Sequence, residues 1–192
     1  MTPATAAPMT AGASFGWANR PENAGRRWEL VRGVPSELPT WPAECDAVKL
    51  RIAALLSDYV IRRHTGEVAF LGDGLITSRN PDTVRCPAVM VFHPPGPRGD
   101  FPPRFTTEIP DLVVEVISPS DRPKAVNERV NQYLTRGVPL VWLVYPGDRI
   151  VYVHRPDEFT KVLDETDELT GNGLLPDFGC PVRTLFPVPT TG

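Results

Sequence analysis

The 192-residue sequence is poor in cysteine and has no long hydrophobic run. Its three cysteines, Cys45, Cys86 and Cys180, are widely spaced and form no CxxC pair. A disulfide framework or a zinc site is therefore not expected, and a reducing cytoplasm fits best. Because no apolar stretch approaches the roughly 20 residues of a membrane helix, no membrane association is expected either.

An excess of positive charge is also absent, since the formal net charge is −3. A basic face of the kind that binds nucleic acid is therefore not apparent from composition, although an acidic protein can carry a local basic groove. The first 25 residues contain no charge before Arg20 and no continuous apolar segment, which argues against a secretory signal. Their Ala, Thr, Pro and Gly content predicts a disordered tail over 1–25.

The sequence does contain enough apolar residues for one folded domain. Hydrophobic residues make up 41% and charged residues 22%, as in ordinary globular proteins. We predict one domain over 26–187 and a short C-terminal tail over 188–192. The proline-rich segment 93–105 is interpreted as an ordered or semi-flexible loop within that domain.

Two segments have helical spacing. Apolar residues recur helically over 48–60, with Pro42 near the start and basic residues at 62–64, where positive charge suits the helix dipole. The segment DRPKAVNERVNQYLTRG, residues 121–137, is predicted to form a second helix that ends at Gly137 as a C′ glycine.

Strand-like segments occupy much of the remainder. RWELVRGVPSEL predicts a first strand or hairpin, and DRIVYVHRP alternates like a half-exposed strand with EFTKVLDE as its hairpin partner. Over 109–145, two apolar runs flank the second helix and predict a parallel βαβ unit at the centre of a sheet. The order predicts a single α/β or α+β domain.

One charged residue interrupts the first of these apolar runs. Glu115 lies within PDLVVEVISPS, a β-branched run that is typical of a strand buried on both faces. A carboxylate in such a place needs a cation, an arginine or a metal as its partner. Asp111 lies on the same face but four residues away, roughly 13 Å at the usual strand rise, too far to share one metal ion.

The following helix offers a partner for Glu115. Val126, Val130 and Tyr133 form its apolar stripe, with Arg129 at the edge of that stripe. Because this helix packs back on the sheet, we predict that Arg129 reaches Glu115.

The sequence blocks around this unit point to a family. From about residue 28 to 186 the chain resembles the bacterial Uma-type restriction endonuclease family, of the PD-(D/E)xK nuclease superfamily. The resemblance is carried by IPDLVVEVISPS, NERVNQYLTRGVPLVWLVYP, DRIVYVHRPDEF and LTGNGLLPDFGCPVRTLF. The resemblance extends over most of the chain, and the spacings within these blocks are specific to the family.

The resemblance implies an α/β, restriction-endonuclease-like core in which helices flank a mixed β-sheet, and a Mg²⁺-dependent DNA endonuclease activity. In such nucleases an aspartate and a glutamate on adjacent strands hold Mg²⁺, which activates a water against a phosphodiester. A backbone carbonyl beside the glutamate adds a ligand, and a lysine stabilises charge on the phosphate. Glu115 and the Val116 carbonyl would then hold the metal, with DNA as partner and a homodimer as the superfamily's common assembly.

Only part of that site is present in this sequence. The family reads Arg-Pro-Asp before an apolar strand, whereas this chain reads Cys-Pro-Ala, so that Ala88 replaces the metal-binding aspartate. The helix lysine aligns with Arg129, which keeps the charge but not the shape of an ammonium. Two further family aspartates and a histidine align with Ala125, Tyr145 and Cys45. We therefore hypothesise that activity is reduced or lost.

Substitutes for the missing groups are available in principle. Glu44, Asp46 or Asp82 could supply a second carboxylate, and Lys124 could replace the lysine. Glu44 and Asp46 lie in the first turn of a predicted helix, where the dipole alone favours them, and Asp82 is expected at the surface of a turn.

Two interpretations of the central pair stay open. Glu115 and Arg129 are either a metal ligand and a phosphate contact, or an inherited structural ion pair. The competing function is a non-catalytic nucleic-acid-binding or protein-interaction module on the nuclease fold. A cleft lined by Arg129, Lys124 and Arg104 would favour nucleic acid, and an exposed apolar edge would favour a protein partner.

Overall fold

The structure is a computed structural model that describes residues 7–64, 66–70, 73–92 and 105–187, with backbone alone at 67–70. The chain divides into two compact units. Unit 1 comprises Met1–Thr40, Gly72–Cys86 and Arg98–Thr107, and unit 2 comprises Trp41–Leu71, Pro87–Pro97 and Glu108–Gly192. Within the described ranges, no helix has the length and apolar character needed to cross a membrane.

The regular elements follow one another along the chain as three α-helices and thirteen strands in the described residues. They are α1 Ala11–Ala18, β1 Arg27–Val31, β2 Val34–Leu38, α2 Ala43–Arg63, β3 Glu67–Phe70, β4 Gly74–Ser78, β5 Thr83–Arg85, β6 Val89–Phe92, β7 Phe105–Thr106, β8 Leu112–Val116, α3 Pro123–Arg136, β9 Val141–Tyr145, β10 Ile150–His154, β11 Lys161–Leu163, β12 Glu168–Thr170 and β13 Gly179–Pro181. A 3-10 turn, Val182–Leu185, follows β13.

Unit 1 is built on a five-stranded sheet with the order β2-β1-β5-β4-β7. The predicted first hairpin is confirmed, since β1 and β2 pair antiparallel from Arg27↔Leu38 to Val31↔Val34. A buried ion pair joins Arg85 Nη1 to Glu29 Oε2 at 2.6 Å. This ion pair joins strands β1 and β5 within the interior of unit 1.

The predicted disorder over 1–25 is wrong for the part of that segment that forms α1. The Thr10 hydroxyl caps the helix by accepting from Ala13 N, and Ala11 N donates to Asp82 Oδ2 at 2.8 Å. This second contact is tertiary, which explains why local composition did not reveal the helix. Residues 1–6 and 188–192, and the proline-rich loop over 93–104, lie outside the described residues.

Unit 2 is built on a six-stranded mixed sheet with the order β11-β10-β9-β8-β6-β3. Its central pair, β8 and β9, is parallel, and the neighbouring pairs are antiparallel. The βαβ unit predicted over 109–145 is therefore confirmed as β8, α3 and β9. The hairpin of β10 with β11 is confirmed as well.

The two faces of this sheet are covered by different helices. On one face, buried side chains of α2 such as Val48 and Leu56 form an apolar cluster with Val114, Val116 and Trp142. Side chains alternate along a strand, so Glu115, between Val114 and Val116, points to the opposite face.

Helix α3 lies over that opposite face and contacts Glu115 through Tyr133 and Arg129. It begins with Pro123 in its first turn and ends at Gly137, whose φ of 103° is a left-handed conformation that glycine adopts without strain. The predicted helix and its C′ glycine are both confirmed. The sharp ending lets the chain return directly into β9.

Candidate active site

Glu115 lies in the interior of unit 2. It pairs with Leu143 in the parallel ladder between β8 and β9, and only 5% of its surface is exposed. A carboxylate at this depth is costly unless its charge is compensated and its oxygens accept hydrogen bonds. Its contacts therefore define what this site can do.

Two side chains of α3 meet the Glu115 carboxylate. The Tyr133 hydroxyl donates to Oε1 at 2.6 Å, and Arg129 Nε lies 3.6 Å from the same oxygen. Arg129 is itself 7% exposed. The predicted approach of Arg129 to Glu115 is thus confirmed, and it places a guanidinium against the buried carboxylate.

A second carboxylate, Asp121, shares the same guanidinium. Its Oδ1 accepts from Arg129 Nη2 at 2.9 Å, while its Oδ2 accepts from the Ser118 backbone N–H at 2.9 Å. The Ser118 and Ser120 hydroxyls lie 3.0 Å apart within this turn. Arg129 therefore lies between two carboxylates, and the loop after β8 is held to α3 by that contact.

Position 88 contributes no polar group to this network. Ala88 is 1% exposed and packs in the apolar cluster with Cys45 and Val48 of α2. Its backbone N–H donates to the Val114 carbonyl at 2.9 Å. The position that the family resemblance assigns to an aspartate therefore carries a buried alanine methyl group.

The substitute carboxylates on α2 lie in its first turn. Glu44 and Asp46 are both exposed, and Asp46 Oδ1 is 3.9 Å from Lys49 Nζ. Cys45, between them, is buried with Sγ 4.0 Å from the Ile117 carbonyl. Burial, followed by the charges of Glu44, Asp46 and Asp121, raises the pKa of the Cys45 thiol, which keeps it protonated at neutral pH.

The remaining candidates are accounted for differently. Asp82 is buried rather than exposed, and its carboxylate accepts from Ala11 N and from Arg79 Nη1 at 2.9 Å. These hydrogen bonds outweigh the opposing effect of burial and lower the pKa of Asp82. Lys124 is exposed in the first turn of α3, and Arg104 lies outside the described residues.

The donor set does not fit a divalent metal ion. Mg²⁺ requires oxygen ligands in near-octahedral geometry and depends on carboxylates for its affinity. Here the Glu115 carboxylate already faces a guanidinium and a phenol donor, and Asp121 faces the same guanidinium. Across the described ranges, no group of three His, Cys, Asp or Glu side chains is placed to hold a metal.

Sequence reasoning missed two members of this network. Tyr133 was assigned to the core alone, yet its buried hydroxyl binds Glu115. A buried tyrosine needs a partner for its hydroxyl, and its spacing of four residues from Arg129 placed it on the same helix face. Asp121 gave no comparable signal, because its approach to Arg129 depends on how the loop after β8 folds.

Replacing Tyr133 with phenylalanine is expected to lower the free energy of unfolding by about 1.5–3 kcal/mol, the range for hydrogen bonds to charged groups. Urea denaturation at neutral pH measures the difference. Tyr59→Phe is the control, because the part-buried Tyr59 hydroxyl donates to a neutral carbonyl, that of Pro176, at 2.9 Å. Equal losses in the two variants would show that the Glu115 carboxylate is not a charged acceptor.

Comparison with known proteins agrees with this geometry at the level of fold and family. Residues 16–183 match the model of the Uma2 family, described as "Putative restriction endonuclease". A crystal structure from Anabaena variabilis, described as "a putative nuclease belonging to DUF820", superposes with a TM-score of 0.75 at 21% identity. That match covers 93% of this chain and 98% of the other. Among proteins with curated descriptions, none matches the chain significantly.

Proposed function

Because the chain belongs to the Uma2 family, whose description is that of a restriction endonuclease, we propose that it is a DNA-endonuclease scaffold that no longer cleaves phosphodiester bonds with Mg²⁺. The observation that supports this proposal is the position of Arg129, whose guanidinium faces Glu115 and Asp121 together. Arg129 takes the place of a metal as the cation of the site.

Three properties of the site support loss of cleavage. Ala88 supplies no ligand, so one of the two carboxylates that hold the metal in such nucleases is missing. A fixed positive charge beside Glu115 repels a divalent cation. The guanidinium is buried and engaged by two carboxylates, so that it is poorly placed to stabilise charge on a phosphate.

One observation favours a second candidate function, a metal-dependent nuclease that uses Asp121 in place of the missing aspartate. Glu115 and Asp121 converge on one cation, and two carboxylates that share a cation form the core of many metal sites. For this function Arg129 would have to leave the site when the metal and DNA bind. Breaking two buried contacts of a guanidinium opposes that movement.

Plasmid cleavage with Mg²⁺ or Mn²⁺ distinguishes the two candidates. We expect purified wild type and Glu115→Gln to leave supercoiled DNA equally intact, because the wild-type site holds no activating metal. Metal-dependent nicking by wild type that is lost in both Glu115→Gln and Asp121→Asn would overturn the proposal and establish Asp121 as the replacement ligand. Circular dichroism of each variant verifies that loss of nicking does not reflect unfolding.

DNA remains the partner that we propose, as a ligand that is bound but not cut. Phosphate contacts release counterions, so an affinity that depends on them falls steeply as salt rises. The salt dependence of duplex DNA binding therefore separates this role from a protein-interaction module on the same fold.

A further inference from the structure

A groove lies next to the Glu115 network on the face of the sheet that α3 covers. Its floor is formed by the side chains of Leu143 and Tyr145 on β9 and of Tyr152 and His154 on β10. Leu143 is the ladder partner of Glu115, so that the floor continues from the buried site across two strands. These residues define the aromatic groove.

Three rings are arranged along this floor. Tyr145 and Tyr152 meet edge to face with their centroids 5.1 Å apart, and the His154 ring lies 6.5 Å from that of Tyr152 at an interplanar angle of 32°. Burial lowers the pKa of His154, so its imidazole is neutral at pH 7. Burial also raises the pKa of Tyr145, so its phenol stays neutral at pH 7. The floor is an uncharged aromatic platform.

The rim of the groove is polar. Asn127 on α3, Asp148 before β10 and Thr160 before β11 are exposed and line its edges. Together they offer an amide, a carboxylate and a hydroxyl around the platform. The cavity has a volume of about 410 Å³. That is near the lower end of the roughly 300–1,000 Å³ of small-molecule sites, so a single small ligand fits.

One buried polar atom of a residue that lines the groove has no hydrogen-bond partner among the described residues. His154 Nδ1 lies 3.0 Å from the Thr160 hydroxyl, whereas its Nε2 is buried and has no hydrogen-bond partner among the described residues. Buried polar atoms in native proteins are rarely left unsatisfied. Because this atom has almost no accessible surface, a ligand would pair with it only after the His154 ring had turned.

We propose that the aromatic groove binds one nucleobase, either an unpaired base of a single strand or a free nucleoside. Neutral rings supply stacking surfaces for the base plane. Asn and Asp side chains are suited to hydrogen bonding with base edges, and a carboxylate accepts from an exocyclic amino group. The groove should therefore take adenine, guanine or cytosine in preference to thymine.

The charges of the groove identify the base rather than the phosphate as its occupant. None of the described residues that line it is Lys or Arg, and Asp148 is acidic. A phosphate would be repelled there, whereas an uncharged heterocycle would not. The inference concerns base binding alone and is independent of whether the chain cleaves DNA.

Calorimetric titration of the full chain tests the proposal with two kinds of probe, free adenosine and a short oligodeoxyadenylate strand. Tyr152→Ala removes the central ring, and the affinity is expected to fall about 10-fold or more, the effect of losing one base-stacking ring. Tyr152→Phe keeps the ring and should bind like wild type. Asn127→Ala should weaken binding, whereas Asn131→Ala, also exposed on α3 but outside the groove, should not.

Each outcome has a defined meaning. Adenosine binding that follows this pattern of variants supports a free nucleoside as the occupant, and binding of the strand alone supports an unpaired base. Thymidine and oligothymidylate should bind more weakly than their adenine counterparts. Failure of both adenine probes to bind wild type would overturn the proposal, as would binding that Tyr152→Ala and Asn127→Ala leave unchanged.

Discussion

Replacing Arg129 with alanine is expected to lower the free energy of unfolding by about 3–5 kcal/mol, the cost of leaving a buried charge without its partner. The truncated site would retain Glu115, 5% exposed, and the nearby Asp121 without the guanidinium that joins them. Urea denaturation at neutral pH measures the loss. Arg122→Ala is the matched control, since Arg122 is exposed at the start of the same helix and its loss should cost under about 0.5 kcal/mol.

A double-mutant cycle identifies the source of that loss. In a Glu115→Gln background the further change Arg129→Ala should be less costly than it is in wild type, because only one buried carboxylate is then left without the guanidinium. Residues in one buried network typically couple by about 0.5–3 kcal/mol. Strictly additive losses would show that Arg129 stabilises the fold through Asp121 or through packing of its stem, and not through Glu115.

Ala88→Asp, the change that restores the family's aspartate, is expected to destabilise the protein by several kcal/mol and to leave cleavage absent. Ala88 is buried among apolar side chains such as Cys45 and Val48 of α2, where a carboxylate would lose its hydration. Thermal denaturation with and without millimolar Mg²⁺ measures the effect. We expect Mg²⁺ to give no recovery, because Arg129 still faces Glu115.

The control for this variant is Ala54→Asp. Ala54 is exposed on α2, so the same substitution there should have only the small effect of a surface change. Stabilisation of Ala88→Asp by Mg²⁺, with the onset of metal-dependent nicking, would contradict the account. It would mean that the metal site needs only its second carboxylate to function. It would also mean that Arg129 moves away from Glu115 when the metal binds.

The sequence was informative where local pattern determines structure. The apolar run around Glu115, the stripe on α3 and Gly137 each follow from strand and helix periodicity or from left-handed glycine geometry, and all three predictions are confirmed. Helix α1 was missed because the contact between Ala11 N and Asp82 Oδ2 joins residues 71 positions apart. No local composition encodes such a contact.

In the candidate site, too, the contacts that follow from local pattern could be predicted and those that depend on tertiary structure could not. A buried glutamate needs a cation as its partner. The helix that packs back on the sheet carries Arg129 beside its apolar stripe, so that the contact with Glu115 could be predicted. The position of Asp121 was not predictable, because it depends on a turn closed by the hydrogen bond from Ser118 N to the Asp121 carboxylate. The burial of Asp82 likewise depends on tertiary contacts rather than on its turn sequence.

We propose that one cation has replaced another in this site. The family resemblance implies a divalent metal between carboxylates, whereas this chain holds a guanidinium between Glu115 and Asp121. On this proposal Arg129 compensates the charge of the carboxylates as a metal would, and it supplies no activated water.

Mn²⁺ binding followed by electron paramagnetic resonance tests this claim most directly, since it reports the metal without requiring cleavage. The account predicts that wild type leaves as much Mn²⁺ free in solution as Glu115→Gln does. One Mn²⁺ bound per wild-type chain, and lost in Glu115→Gln, would contradict it and return Glu115 to the role of a metal ligand.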